Sequence, residues 1–154
     1  MKEKLRNKKG FTLVELIVVI AILVILVGLL APNVIRYIEK SRAAKDKAAL
    51  DNAYQSIMLA LADEEAYTAA EASISTGAAL STITGKTDAF ATEVKANYGT
   101  SLYTAKSNTY RGTVADDADS EIMYSLAKNG SGYTVAVWFS GLPADKITNA
   151  ITAD

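Results

Sequence analysis

The sequence predicts an α+β protein in which a long N-terminal helix packs on a small antiparallel β-sheet. Three observations carry this prediction. Every residue of Leu16–Ala31 is apolar or glycine, a run of 16 residues. Residues 36–61 continue with strong helix formers. Near the C-terminus, Glu121–Lys128 and Ser131–Phe139 flank Asn129-Gly130, the strongest short signal for a β-hairpin turn.

The overall composition argues against most classes of enzyme. The chain has 154 residues, which suits one domain. It contains no cysteine and no histidine, so thiol chemistry, thiolate zinc sites and the commonest general base are excluded. Its net charge of −1 does not favour a polybasic nucleic-acid binder. We expect a protein that is not an enzyme and that holds no cofactor.

The apolar N-terminal segment has the length of a membrane span. Phe11–Ala31 contains 21 residues and one charged side chain, Glu15, and a transmembrane helix needs about 20 apolar residues. The preceding Met1–Gly10 has five bases and one acid, a net charge of +4. Under the positive-inside rule, the N-terminus stays in the cytoplasm and the C-terminus is exported.

Three simpler interpretations of this segment compete with a functional membrane helix. A secretory signal peptide has a shorter apolar core of about 7–15 residues, and Pro32 follows directly after Ala31. A plain membrane anchor does not explain Glu15, because a carboxylate in hydrocarbon is unfavourable and is usually functional. A core helix of a soluble protein is disfavoured by the basic flank and by the length.

The second half of the predicted helix is amphipathic. Arg42–Asp46 and Lys47–Asp51 have the i,i+4 spacing of ion pairs, and we place both pairs on the solvent side. Apolar residues recur every three or four positions on another face. This stripe consists of Leu50, Ala53, Tyr54, Ile57, Met58 and Leu61.

Residues 62–154 form a small acidic head. They contain six Lys and Arg and twelve Asp and Glu, a net charge of −6. The segment Thr68–Thr84 is rich in Ala, Ser and Thr, which predicts a loop or a weak helix. Asp88 is a suitable N-cap for a short helix over Ala89–Tyr98 that ends at Gly99. Thr109–Ala115 is a candidate third strand.

The second run of the hairpin alternates as a half-buried strand should. Tyr133, Val135, Val137 and Phe139 occupy one face and Thr134, Ala136 and Trp138 the other. A sheet with one apolar face needs a partner, and the stripe of the long helix supplies one.

Residues 8–16 read Lys-Lys-Gly-Phe-Thr-Leu-Val-Glu-Leu. This motif resembles the class III signal of type IV pilins and of their relatives, the pseudopilins. The resemblance is strong over residues 1 to about 50 and extends to the remainder only as a general plan, the pilin fold. The absence of cysteine removes the C-terminal disulfide of many Gram-negative members and favours the cysteine-free pilins of Gram-positive bacteria.

The resemblance implies how the N-terminus is processed. A prepilin peptidase would cut after Gly10 and N-methylate Phe11, leaving 154 − 10 = 144 residues. Glu15 would then be the fifth residue of the product and would neutralise the terminal amine of a neighbouring subunit during assembly. Gly28 and Pro32 match a region that loses helical hydrogen bonds in such filaments. Pro32 also lacks a backbone donor, so we expect it to kink or loosen the helix.

The implied function is a structural subunit that polymerises into an extracellular type IV pilus. The chain divides into a cleaved leader (1–10), a transmembrane and filament-core helix (11–35), an amphipathic half (36–61) and a globular head (62–154). The implied partners are other copies of the chain, the prepilin peptidase and methyltransferase, the assembly platform with its ATPase, and the membrane before assembly. No nucleic-acid partner is evident. The alternatives are a pseudopilin of a type II secretion or DNA-uptake system and a membrane-anchored extracytoplasmic binding domain that never polymerises.

One group of carboxylates in the head is a weak candidate for a metal site. Hard oxygen ligands of this kind suit Ca²⁺, although no spacing diagnostic of a calcium-binding loop accompanies them. A solvated loop between strands is the other interpretation, and we favour it over a metal site. The residues are Asp116, Asp117, Asp119 and Glu121.

Overall fold

The computed structural model describes residues 10–99, 103–111, 120–130, 132–141 and 151–152. By its internal contacts the chain forms two compact units, residues 1–38 and 39–154. The elements confirm the predicted α+β class, with one long helix, several short helices and an antiparallel sheet.

The first helix, α1, covers Leu13–Ala60, a length of 48 residues, and is helical through Pro32. It is long and apolar enough to cross a membrane, and no residue of its most apolar window is buried inside the protein. A core helix of a soluble protein would be covered by the rest of the chain, so the exposed segment does not fit that interpretation.

The segment that follows α1 is more structured than the sequence suggested. Helix α2 (Glu64–Ala69) is capped by Asp63, whose Oδ1 accepts from the backbone N–H of Ala66 at 2.9 Å. A 3₁₀ turn, strand β1 (Ser75–Ala79) and helix α3 (Leu80–Thr84) come next. The prediction of loop or weak helix over Thr68–Thr84 is therefore wrong for β1, which owes its conformation to pairing with another strand.

The next two helices give one confirmed prediction and one error. Helix α4 covers Ala89–Tyr98, and Asp88 Oδ1 accepts from Ala91 N–H at 2.7 Å, as the capping pattern predicted. The helix ends at Gly99, whose φ of 90° favours glycine. Helix α5 covers Asn108–Arg111, so the strand predicted from Thr109 is wrong there, and residues 112–115 lie outside the described part.

The sheet is an antiparallel meander in the order β1-β2-β3-β4. Strands β2 (Ile122–Asn129), β3 (Gly132–Phe139) and β4 (Ile151–Thr152) follow one another in space as in sequence. The predicted hairpin is confirmed: Asn129 pairs with Gly132, and Gly130 has a φ of 62° that a side chain would disfavour.

The core of the second unit lies between the sheet and the helices. On β2 and β3 alternate residues face inward, and the cross-strand pair Tyr124 with Val137 is buried. Of the predicted stripe on α1, Leu50, Ala53 and Ile57 are fully buried. Three stripe positions are less covered, since Tyr54 and Leu61 are half-buried and Met58 is exposed. Small residues complete this face of the helix, namely Ala49, Ser56 and Ala60.

The placement of Asp46 on the solvent side is also wrong. Asp46 has no exposed surface and belongs to the buried face of α1. Among the residues that the structure describes, the ion pair is Lys128 with Glu71, so neither Arg42–Asp46 nor Lys47–Asp51 forms one. The carboxylate of Asp46 instead accepts hydrogen bonds from residues about 60 positions later in the chain.

Candidate processing and assembly site

The start of α1 is fixed by three reciprocal hydrogen bonds between Thr12 and Glu15. Glu15 Oε2 accepts from the Thr12 backbone N–H at 2.8 Å and from its hydroxyl at 2.7 Å. In return, the Glu15 N–H donates to Thr12 Oγ1 at 3.3 Å. This is a capping box, which satisfies free donors at a helix N-terminus. The Thr-x-x-Glu spacing at 12–15 was a signal for it that our sequence reasoning did not use.

The residues on the N-terminal side of this box are accessible. Phe11 is 93% exposed, and Gly10 is exposed as well. A Cβ atom added to Gly10 would meet no other atom within 4 Å. Nothing in the described fold therefore requires glycine at position 10.

Apolar side chains cover the surface of α1 after the box. Between Phe11 and Ile38, 20 large apolar side chains are 46–93% exposed. Burying a side chain of this kind completely is worth about 1.5–3 kcal/mol. At roughly half that value for each, covering them is worth roughly 15–30 kcal/mol in total. A surface of this size requires lipid or other apolar helices around it.

Gly28 and Pro32 lie four residues apart within this surface. In an α-helix the N–H of residue 32 would donate to the carbonyl of residue 28, and proline has no N–H. The structure keeps helical geometry through both positions. A Cβ atom on Gly28 would meet nothing within 4 Å, so close packing within the described residues does not require this glycine or Gly10.

The weak calcium candidate is for the most part beyond the described residues. Asp116, Asp117 and Asp119 lie in the segment that the structure leaves undescribed. Glu121 pairs with Thr104 in an isolated β-bridge, and its N–H donates to Ser140 Oγ at 3.1 Å. Within the described ranges no group of three or more side chains is placed to hold a metal ion.

A second polar constellation, missed by the sequence analysis, surrounds Asp46 in the second unit. Oδ2 accepts from the Ser107 N–H at 2.7 Å and from its hydroxyl at 2.5 Å. Oδ1 accepts from the Tyr103 hydroxyl at 2.8 Å. The Lys106 N–H donates to both oxygens, at 3.0 and 3.1 Å. The buried carboxylate is thus fully engaged by a segment about 60 residues further along the chain.

Glu39, two helical turns before Asp46 on α1, makes a further hydrogen bond to the same distant segment. Its Oε1 accepts from the backbone N–H of Asn108, the first residue of α5. Because Glu39 and Asp46 are seven residues apart, they lie on one face of α1. Together they bind three consecutive backbone amides, from Lys106 to Asn108. We call this arrangement the carboxylate clamp.

The pKa of Tyr103, which contacts the carboxylate clamp, is raised. Burial raises the pKa of Tyr103 to about 12, and the hydrogen bond to Asp46 with its negative charge contributes in the same direction. The phenol is therefore neutral at ordinary pH and remains a hydrogen-bond donor. This fits a structural contact better than acid–base chemistry, whose groups titrate near the working pH.

The fold and the exposed helix define a class of protein, namely a small α+β head carried on an apolar helix that can be membrane-anchored. Comparisons with known proteins indicate which members of this class the chain resembles. Residues 5–31 match the family described as the prokaryotic N-terminal methylation motif. The type IV wide pilus major component PilA4 of Thermus thermophilus is 36% identical over 70 residues.

The two matches support a type IV pilin and confirm the resemblance that residues 8–16 carry. The similar region covers 46% of this chain and 53% of the relative, so the chain spans about half the length of that protein. No solved structure matches significantly. The type IV pilins are a family of structural proteins and not of enzymes. The preference for cysteine-free Gram-positive members stays a prediction.

Proposed function

We propose that this protein is the precursor of a type IV pilus subunit. It is cleaved after Gly10, N-methylated on Phe11 and polymerised through α1 into an extracellular fibre. The observation that carries the proposal is the exposed apolar surface between Phe11 and Ile38, which contains a single carboxylate, that of Glu15. The methylation motif at residues 5–31 and the similarity to a pilus major component support it.

The same apolar surface serves two states in turn. As a precursor, the helix lies in the membrane with the +4 leader on the cytoplasmic side and the head outside. In the fibre, neighbouring helices replace the lipid, so the side chains remain out of water throughout. A head-to-tail contact of this kind does not close on itself and therefore produces a fibre.

Glu15 is the residue that sets the assembly contact. Both Thr12 donors go to Oε2, which leaves Oε1 able to accept from the terminal amine of an adjacent subunit. Neither charge is favourable alone in an apolar fibre core, whereas the pair is neutral overall. Local capping keeps the carboxylate oriented until that partner arrives.

Gly10 and the Gly28–Pro32 pair have separate roles. A peptidase must bring the backbone of its substrate close to its catalytic groups, and a residue without a side chain allows this. Gly28 and Pro32 mark the place where α1 most easily loses hydrogen bonds. We propose that the helix opens there as subunits pack in the fibre. The peptidase, the assembly platform and its ATPase are the partners that these steps require.

A pair of matched variants tests the role in assembly. Glu15→Ala should be processed normally but should yield few sheared surface filaments, because the terminal amine loses its partner. Glu65→Ala, which removes an exposed carboxylate on α2, should leave the filament yield unchanged. Normal filament yield from Glu15→Ala would contradict the charge-pairing role.

The abundance of wild-type filaments separates the proposal from its nearest alternative. A pilin should be the main component of long and abundant surface fibres in electron micrographs. Sparse or short filaments would favour a pseudopilin of a secretion or DNA-uptake system. The similarity to a pilus major component is the observation that favours the pilin.

A further inference from the structure

We infer that a groove in the second unit, residues 39–154, binds an uncharged carbohydrate; it lies between α1 and the end of α4. The groove has a volume of about 410 Å³, within the range of pockets that take small ligands. It belongs to the second unit and is separate from the residues proposed for processing and assembly. The inference therefore does not rest on polymerisation.

The groove is lined entirely by uncharged side chains. This is notable in a head whose net charge is −6. Charged ligands such as phosphates or acidic peptides would find no counter-charge on its walls. The ligand that fits this lining is neutral.

Side-chain amides supply the hydrogen-bonding capacity of the groove. Asn52 and Gln55 lie one turn apart on α1, are exposed, and make no side-chain hydrogen bond in the described part of the chain. Asn97 donates through its amide nitrogen to Glu93 and keeps its oxygen as a further acceptor. Asn52 and Gln55 present both donors and acceptors, which matches the hydroxyl groups of a sugar.

Two tyrosines, Tyr98 and Tyr103, also line the groove. The Tyr103 hydroxyl donates to Asp46 of the carboxylate clamp at 2.8 Å. This bond holds the Tyr103 side chain in place, and aromatic rings in the lining suit the C–H face of a sugar. Leu59, 56% exposed, extends the apolar side.

The composition of the walls favours a carbohydrate over a peptide. A peptide that binds as an added strand needs an exposed sheet edge, whereas the residues of this groove come from α1, from the end of α4 and from Tyr103. Side-chain amides together with aromatic rings are the chemistry that recognises a ring with several hydroxyl groups.

The test uses the full chain in dodecylphosphocholine micelles, because a maltoside detergent would itself supply sugar. The probes are the methyl glycosides of mannose, galactose and N-acetylglucosamine, with glucose 6-phosphate as a charged comparison. Binding is measured by saturation-transfer difference NMR up to about 20 mM, enough to fill a site of millimolar affinity. At least one neutral probe should bind, and glucose 6-phosphate should bind more weakly.

Variants assign the binding to the groove. Asn52→Ala and Gln55→Ala should each weaken it about three- to tenfold, as expected for the loss of one hydrogen bond. Asn129→Ala, which removes an exposed amide at the hairpin end, should leave the affinity unchanged. Absence of binding by all three neutral probes would overturn the inference. Binding that Asn52→Ala and Gln55→Ala do not weaken would overturn it as well.

Discussion

Replacing Asp46 should destabilise the head more than any comparable change of an exposed carboxylate. Asp46→Ala leaves two donors of the fully buried Ser107, its N–H and its hydroxyl, without an acceptor. Each unsatisfied buried donor costs about 1–3 kcal/mol. The free energy of unfolding should therefore fall by about 2–6 kcal/mol. The Lys106 amide adds less, because that residue is exposed and water can replace the carboxylate.

The size of the loss should depend on what remains of the carboxylate. Asp46→Asn keeps one oxygen acceptor and the shape of the side chain, so we expect a loss of about 1–2 kcal/mol. Asp51→Ala is the matched control on the same helix. The Asp51 side chain makes no hydrogen bond in the described ranges, so its replacement should stay within about 0.5 kcal/mol of wild type.

Urea unfolding of the full chain in micelles measures these differences. Trp138, the single tryptophan, lies in β3 and reports on the sheet through its fluorescence. The midpoint should fall in the order Asp51→Ala, Asp46→Asn, Asp46→Ala at an unchanged slope. If Asp46→Ala unfolds at the same urea concentration as Asp51→Ala, the clamp does not stabilise the head.

Three further predictions follow from single contacts. The pKa of Tyr103 in the folded state is raised to about 12, so its contribution to stability is complete below pH 10 and disappears towards pH 12. Tyr103→Phe should therefore lose less stability than wild type between pH 10 and pH 12 in urea unfolding curves. The same pH dependence in both proteins would contradict this prediction. Thr12→Val should weaken the start of α1 by about 1 kcal/mol, seen as faster amide exchange at Glu15, whereas Thr12→Ser should not. Gly130→Ala should cost about 1–2 kcal/mol because of its φ of 62°, and an unchanged urea midpoint would show that the turn tolerates a side chain.

Elements that obey local rules could be predicted from the sequence. The helix from Ala89 to Tyr98 carries its own cap at Asp88 and its own stop at Gly99. The hairpin carries its turn residues and an alternating apolar pattern on each side. In both cases the signals lie within a few residues of the structure that they specify.

Elements that depend on distant partners could not be predicted in this way. Strand β1 is poor in large apolar residues and is a strand because it pairs with β2, about 50 residues later. Asp46 has the spacing of a surface ion pair with Arg42, and the amides that bury it come from about 60 residues away. One hint was present, since Asp46 precedes Ala49, Leu50 and Ala53 on the same helical face.

The candidate processing and assembly site could be predicted because all of its residues lie in one short segment. Gly10, Phe11 and Glu15 lie within six residues, and the motif that contains them matches a known family. The structure adds the capping box between Thr12 and Glu15 and the exposure of Phe11. The groove beside Tyr98 and Tyr103 corresponds to no sequence motif, because its lining residues come from three separate parts of the chain.

Mass spectrometry of the N-terminus of the mature surface protein tests the central claim most directly. Sheared filaments should yield a chain that begins at an N-methylated Phe11 and lacks the ten-residue leader. An intact Met1 would show that no processing takes place. A new terminus near Ala31 would show removal of the apolar helix by an ordinary signal peptidase. Either of those two results would contradict assembly through α1.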